Sequence, residues 1–158
     1  MVRIEGEKII LRSVDSSDID TILLWENSSA EPLYGVYEEQ YTREDVAQFV
    51  ENQQRYSLAQ TEQLRLMICS HSGERLGCVD LSEYDGKKAF VSILIFDLDN
   101  RRKGLGIKAL QLLICYAKTL DLQTLYATIL PENSASISLF KKAGFVRLDG
   151  ALYFRAVR

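Results

Sequence analysis

The residues best equipped for chemistry stand together at Arg101-Arg102-Lys103-Gly104-Leu105-Gly106. An apolar run, Phe90 to Phe96, precedes them, followed by the polar break Asp97-Leu98-Asp99-Asn100. After them a helical pattern runs to Leu120. The first turn of a helix leaves N–H groups without intrahelical partners and carries partial positive charge. Glycines let that backbone come close to a ligand. The stretch therefore reads as an anion site, most naturally for phosphate or pyrophosphate. A second group of chemically able residues is Asp80 and Glu83, in Val79-Asp80-Leu81-Ser82-Glu83. On a strand, Asp80 and Ser82 share one face and Leu81 and Glu83 the other, so both acids reach one site only across a bulge. A third is the segment Ser28 to Tyr41, with Glu31, Tyr34 and further Glu and Tyr residues. Its charge and aromatic faces suit a cation.

The elements that must position these groups follow from periodicity. Lys8–Ser13 reads as a strand. Asp15 to Asp18 opens a helix running to about Asn27, and Thr42-x-x-Asp45 opens another running to about Arg55. Leu64–Ser70, Leu76–Tyr84 and Lys88–Phe96 form an antiparallel meander, with turns at His71–Glu74 and Asp85-Gly86. A helix from about Gly104 to Leu120 leads to the strand Gln123–Leu130, which a crossover makes parallel to Phe90–Phe96. Asn133–Ala143 is a helix capped by Gly144. Phe145–Leu148 and Ala151–Val157 form a terminal pair of strands. The expected architecture is a mixed α/β sheet covered by helices, with about seven strands and four helices, in a single domain over residues 1–158.

Two nucleotide-binding motifs compete for the glycines. Gly104-x-Gly106-x-x-Ala109 matches the loose dinucleotide fingerprint. A basic segment separates it from its strand, however, and too little chain follows to build a doubly wound sheet. No Gly-Lys-Ser/Thr closes a P-loop. A plain helix start, with glycines serving close packing, is the structural alternative.

With the strand before it, Arg101-x-x-Gly104-x-Gly106 resembles the acyl-CoA pyrophosphate loop of the GCN5-related N-acetyltransferase (GNAT) family. Downstream, Asn133-Ser-Ala-Ser-Ile-Ser-Leu-Phe-Lys-Lys-Ala-Gly-Phe145 resembles that family's second hallmark. Leu11-Arg12-Ser13-Val14-Asp15, followed by a helix and Trp25-Glu26-Asn27, is similar to the branch holding ribosomal-protein N-terminal and spermidine acetyltransferases. The resemblance implies a V-shaped opening between the fourth and fifth strands, here Phe90–Phe96 and Leu125–Leu130. It places Ile95, Phe96 and Asp97 along the pantetheine of acetyl-CoA. The backbone of Arg102, Lys103, Gly104, Leu105, Gly106 and Ile107, with the charges of Arg101 and Lys103, falls to the pyrophosphate. Asn133 reaches the pantetheine from the far side. Phe140 stands beside the cofactor where the family often carries a Tyr that protonates the departing thiolate, and Ser136, one turn back, could hold a water there. Tyr126 and Tyr153 are other candidates for that acid.

The implied activity is acetyl transfer to a primary amine by direct attack in a ternary complex. The acceptor is a polyamine-like or other cationic small molecule, or a protein N-terminus. Asp80 and Glu83 are the candidate base and, with Glu31 and Tyr34, the candidate acceptor-binding groups. Because Phe cannot donate a proton, a non-catalytic CoA-binding regulatory or interaction module is the alternative.

Composition bounds the rest. A net charge of −3 argues against wholesale nucleic-acid binding. No apolar run approaches the ~20 residues of a membrane span, and Met1–Glu7 is too polar for a signal peptide. Cys69, Cys78 and Cys115 lie in apolar segments without metal-ligand spacing, which reads as reduced core thiols of a cytoplasmic protein with no metal site. The apolar strand Leu152–Val157, if it forms a sheet edge, invites a homodimer.

Overall fold

A computed structural model describes residues 1–28, 40–96 and 104–157. Its sheet grows outward from the turn at Asp85-Gly86. Asp85 Oδ1 accepts hydrogen bonds from the backbone N–H groups of Lys87 and Lys88, each at 2.9 Å, and Gly86 takes φ of 90°. The turn joins β4 (Arg75–Ser82) to β5 (Lys88–Ile95). β3 (Leu64–Ser70) pairs with β4, and β2 (Ile9–Ser13) with β3, all antiparallel. β6 (Thr124–Thr128) runs parallel to β5. With β1 (Arg3–Glu5), β7 (Val146–Asp149) and β8 (Leu152–Ala156), the mixed sheet has the order β1-β2-β3-β4-β5-β6-β8-β7.

The described residues hold eight strands where seven were expected. The addition is β1, three residues that pair with β2 but are too short to show a two-residue period. Five α-helices replace the expected four: α1 (Ile19–Ser28), α2 (Arg43–Arg55), α3 (Leu58–Thr61), α4 (Leu105–Thr119) and α5 (Ser134–Lys142). A 3₁₀ turn over Ser16–Asp18 leads into α1. The unforeseen α3 is a single turn, opened by a Ser57/Gln60 capping box and closed by Glu62 at φ of 59°. The Thr42/Asp45 box that opens α2 is complete in both directions.

Helices cover the two faces of the sheet differently. α4 packs on β2, β4 and β5, and α5 packs on α4. Beneath them Leu110, Leu113, Leu125, Phe145 and the inward residues of β2–β5 form the larger core. The 3₁₀ turn, α1 and α2 cover the opposite face, where Val14, Ile22, Val46, Val50 and Met67 form a second core. Asp18 is buried there, held by Arg12 and Arg75. Two sequence expectations are corrected. Cys115 is exposed on α4, unlike buried Cys69 and Cys78. β8 is not an edge, because it inserts between β6 and β7; the edge on this side, opposite β1, is β7, all of whose residues are exposed.

Candidate active site

The parallel ladder between β5 and β6 covers only three positions: Lys88–Thr124, Ala89–Leu125 and Phe90–Tyr126. β5 continues to Ile95, paired along that length with β4, while β6 continues to Thr128 paired with β8. The two strands therefore share their N-terminal ends and part beyond Phe90. This is the wedge expected between Phe90–Phe96 and Leu125–Leu130. Phe90 and Tyr126 close its narrow end, their rings 5.5 Å apart.

Gly77 explains why β5 follows β4 and leaves β6. The carbonyl oxygen of Leu94 occupies the place a β-carbon at position 77 would take, and Ile95 Cα lies 3.0 Å from it. Only glycine admits the β5 backbone there. The backbone N–H of Phe96 then donates to Leu76 O at 3.0 Å, carrying the association past the end of the strand.

Of the two strands that part, β5 precedes α4 in the chain and β6 follows it. Gly104 caps that helix at φ of 73°, a conformation costly for any residue with a side chain. Helix geometry leaves the N–H groups of Leu105, Gly106 and Ile107 outside the intrahelical ladder; that of Lys108 reaches Gly104 O at 3.4 Å. A β-carbon on Gly106 would meet the Leu139 methyls at 3.2 and 3.3 Å, so this glycine also serves the packing of α4 against α5. Asp97, Arg101, Arg102, Lys103, Glu31 and Tyr34 lie outside the described residues.

Asn133 caps α5, its Oδ1 accepting from Ser136 N–H at 3.1 Å. Ser136 is half-buried on the first turn. Phe140 is 3% exposed and stands edge-on to Phe145, centroids 5.0 Å apart. Tyr153 is buried in the larger core, and Tyr126 is half-buried against Phe90.

Asp80 lies on the sheet face covered by α1 and α2, in a row running Arg65–Asp80–Ser92 across three strands. Arg65 grips both carboxylate oxygens, Nε donating to Oδ1 at 2.9 Å and Nη2 to Oδ2 at 2.8 Å. Its Nη1 donates to Glu26 Oε1 at 2.7 Å, and its guanidinium lies 5.1 Å over the Phe49 ring. Asp80 is 7% exposed. Burial pushes its carboxyl above the ordinary range, with Arg65 pulling the other way. Glu83 is exposed just past the end of β4, at φ of 50°, so the strict two-residue alternation stops before it. Burial pushes the neighbouring Cys78 thiol up to about 12, which leaves it no nucleophile near neutral pH. His71 Nε2 hydrogen-bonds the Gly6 and Glu7 carbonyls at 2.9 and 3.1 Å, an exposed brace for the β1–β2 turn.

Residues 8–146 match the Acetyltransferase (GNAT) domain family. The chain belongs to the GNAT family. Members of this family acetylate amines with acetyl-CoA. An uncharacterized protein of Methanocaldococcus jannaschii, MJ1062, is 25% identical over 146 residues. The match takes in 89% of this chain but only 28% of that protein's length. Among solved structures, the spermidine N-acetyltransferase of Vibrio cholerae, in complex with CoA and spermine, superposes with a TM-score of 0.79 at 18% identity, covering 96% of this chain and 97% of that one. The ribosomal-protein-S5-alanine acetyltransferase of Vibrio fischeri superposes with a TM-score of 0.77 at 20% identity, covering 99% and 97%. At these identities the likeness is one of fold.

In this GNAT domain the wedge has the right form for an arm that carries amides, since a parted pair of strands presents backbone donors and acceptors to whatever lies between them. Sequence reasoning did not find Gly77 or Arg65. The glycine's signal was a small residue inside an apolar strand pattern. The arginine's was a charge on the face that alternation assigns to the α1–α2 side.

Proposed function

We propose that this domain transfers the acetyl group of acetyl-CoA to a primary amine by direct attack in a ternary complex. The acceptor is a polyamine-like or other cationic small molecule, or a protein N-terminus. The observation that carries this reading is the three-position ladder between β5 and β6, with β5 preceding the Gly104–Gly106 helix start in the chain. In this reading Ile95, Phe96 and Asp97 follow the pantetheine, Asn133 reaches it from the other side, and Phe140 packs beside it. Arg101 to Ile107 hold the pyrophosphate. Backbone N–H groups of β5 stabilise the oxyanion.

The buried carboxylate of Asp80, raised in pKa and held in place by Arg65, receives the amine's proton through water. Glu83, Glu31 and Tyr34 draw the acceptor's positive charge. No hydroxyl stands at Phe140, so a water held by Ser136 serves the thiolate. An alkyl thiol titrates at about 8.5, so its departure needs little help. The domain is read as cytoplasmic and homodimeric, with Val146 and Leu148 of edge strand β7, 54% and 56% exposed, as the contact.

The test is a thiol-release assay with acetyl-CoA across polyamines, other cationic amines and peptide N-termini. Release dependent on one amine class establishes the transfer and names the acceptor. Binding of acetyl-CoA without release for any amine would replace the enzyme with a CoA-binding module.

A further inference from the structure

The last turn of α1 makes three different attachments through three successive residues. The indole of Trp25 lies face to face with the ring of Phe96, centroids 4.6 Å apart and planes 4° from parallel. Glu26 accepts from Arg65, and Arg65 in turn holds Asp80. The Asn27 amide brackets the backbone of Tyr41, donating to its carbonyl at 3.1 Å and accepting from its N–H at 2.9 Å. One helix end is thus joined to the tip of β5, through Arg65 to the buried carboxylate of β4, and to Tyr41, the residue before the Thr42 cap of α2. Phe96 is the residue that follows β5 on the wedge side, and its own N–H is tied to Leu76.

From this convergence we infer that Trp25 is a positioning residue for the acetyl donor. Its ring clamps Phe96 and so sets the place of the β5 tip, while its neighbours Glu26 and Asn27 fix the acceptor side relative to it. The inference rests on the proposed placement of pantetheine along Ile95 and Phe96. Trp25 acts through Phe96 and need touch neither substrate. A flat stack suits this task because it resists tilting and engages only the face of the Phe96 ring, while the Phe96 N–H stays on Leu76. Small misplacements of reacting groups are expensive, about 10²-fold for 1 Å in favourable cases.

The experiment compares Trp25→Leu, Trp25→Phe and, as a control on the same helix, Leu24→Ala, whose side chain is exposed. Melting with and without acetyl-CoA and steady-state kinetics are measured for each. Trp25→Leu should raise KM for acetyl-CoA and lower kcat/KM by about tenfold, the rate equivalent of one aromatic pair. Trp25→Phe should restore most of that loss, and Leu24→Ala should leave both constants unchanged.

Because Trp25 is the sole tryptophan, its fluorescence in the unmodified protein gives a second readout if the leucine variant fails to fold. Emission should change saturably with acetyl-CoA, at the same midpoint as the melting shift. Wild-type kcat/KM in a folded Trp25→Leu variant would overturn the inference. So would a melting shift with no change in emission. No melting shift with acetyl-CoA in the unmodified protein would overturn the donor-site reading itself, and this inference with it.

Discussion

The Leu94 carbonyl oxygen lies where a side chain at Gly77 would have to go. That one relationship makes the end of β5 hug β4 and, with β6 held by β8, opens the wedge. Gly77→Ala should therefore do two things. It should destabilise the fold by about 1–3 kcal/mol, as overpacking of a buried site does. It should also raise the Kd for acetyl-CoA more than an equally destabilising core change such as Ile22→Val. Thermal melting and calorimetric titration measure the two effects separately.

The Arg65–Asp80 pair gives a prediction that separates stability from chemistry. Arg65→Met leaves the Asp80 carboxylate buried without its main partner and should cost about 3–5 kcal/mol. Adding Asp80→Leu removes the stranded charge and should restore much of that stability. If Asp80 takes the amine's proton, the double variant melts near wild type but stays slow, by roughly 10²–10⁴-fold in kcat. Recovery of both stability and rate would assign the pair to structure alone.

Asp18 sets an acid limb. Burial works against its charged form, but Arg12 and then Arg75, with the Asp15 N–H, hold its carboxyl below the ordinary value. A depressed folded pKa contributes stability above the unfolded value of about 3.9, and loses it as pH falls through the lower folded value. Melting temperature should fall across that acid window. Asp18→Asn should be less stable at neutral pH and show a shallower loss on acidification. Melting curves from neutral pH downward, for both proteins, check the sign.

Phe140→Tyr tests the departure of the thiolate. The new hydroxyl enters beside Phe145, in a place 3% exposed. If that place reaches the sulfur, kcat should rise, read by thiol release at a pH well below 8.5, where an unassisted thiolate leaves least readily. An unchanged kcat with a loss of about 1–3 kcal/mol, the cost of a buried hydroxyl without a partner, would put position 140 in the core only.

What the sequence shows of this fold is what local chemistry decides. Asp85-Gly86 declares a hairpin because its carboxylate and positive φ serve the turn from within. Thr42 and Asp45 declare a helix start because each bonds the other's backbone. The wedge entered through family resemblance, and its physical cause, Gly77 against Leu94, spans two strands and is invisible to a two-residue period. β1 was missed because three residues carry no period. Whether the last strand forms an edge stayed open because β8 takes its position from its pairing with β6, a contact between residues more than 20 apart in the chain. Alternation put Asp80 on one face of β4, but not Arg65 beside it or Glu26 above, since both arrive from other elements.

The most direct measurement of the central claim is amide hydrogen exchange with and without acetyl-CoA. The account predicts that ligand slows exchange in Val91–Phe96 and at the start of α4, Leu105–Ile107, while β1 and β2 are unchanged. Acetyl-CoA binding that protects neither the end of β5 nor the start of α4 would contradict it.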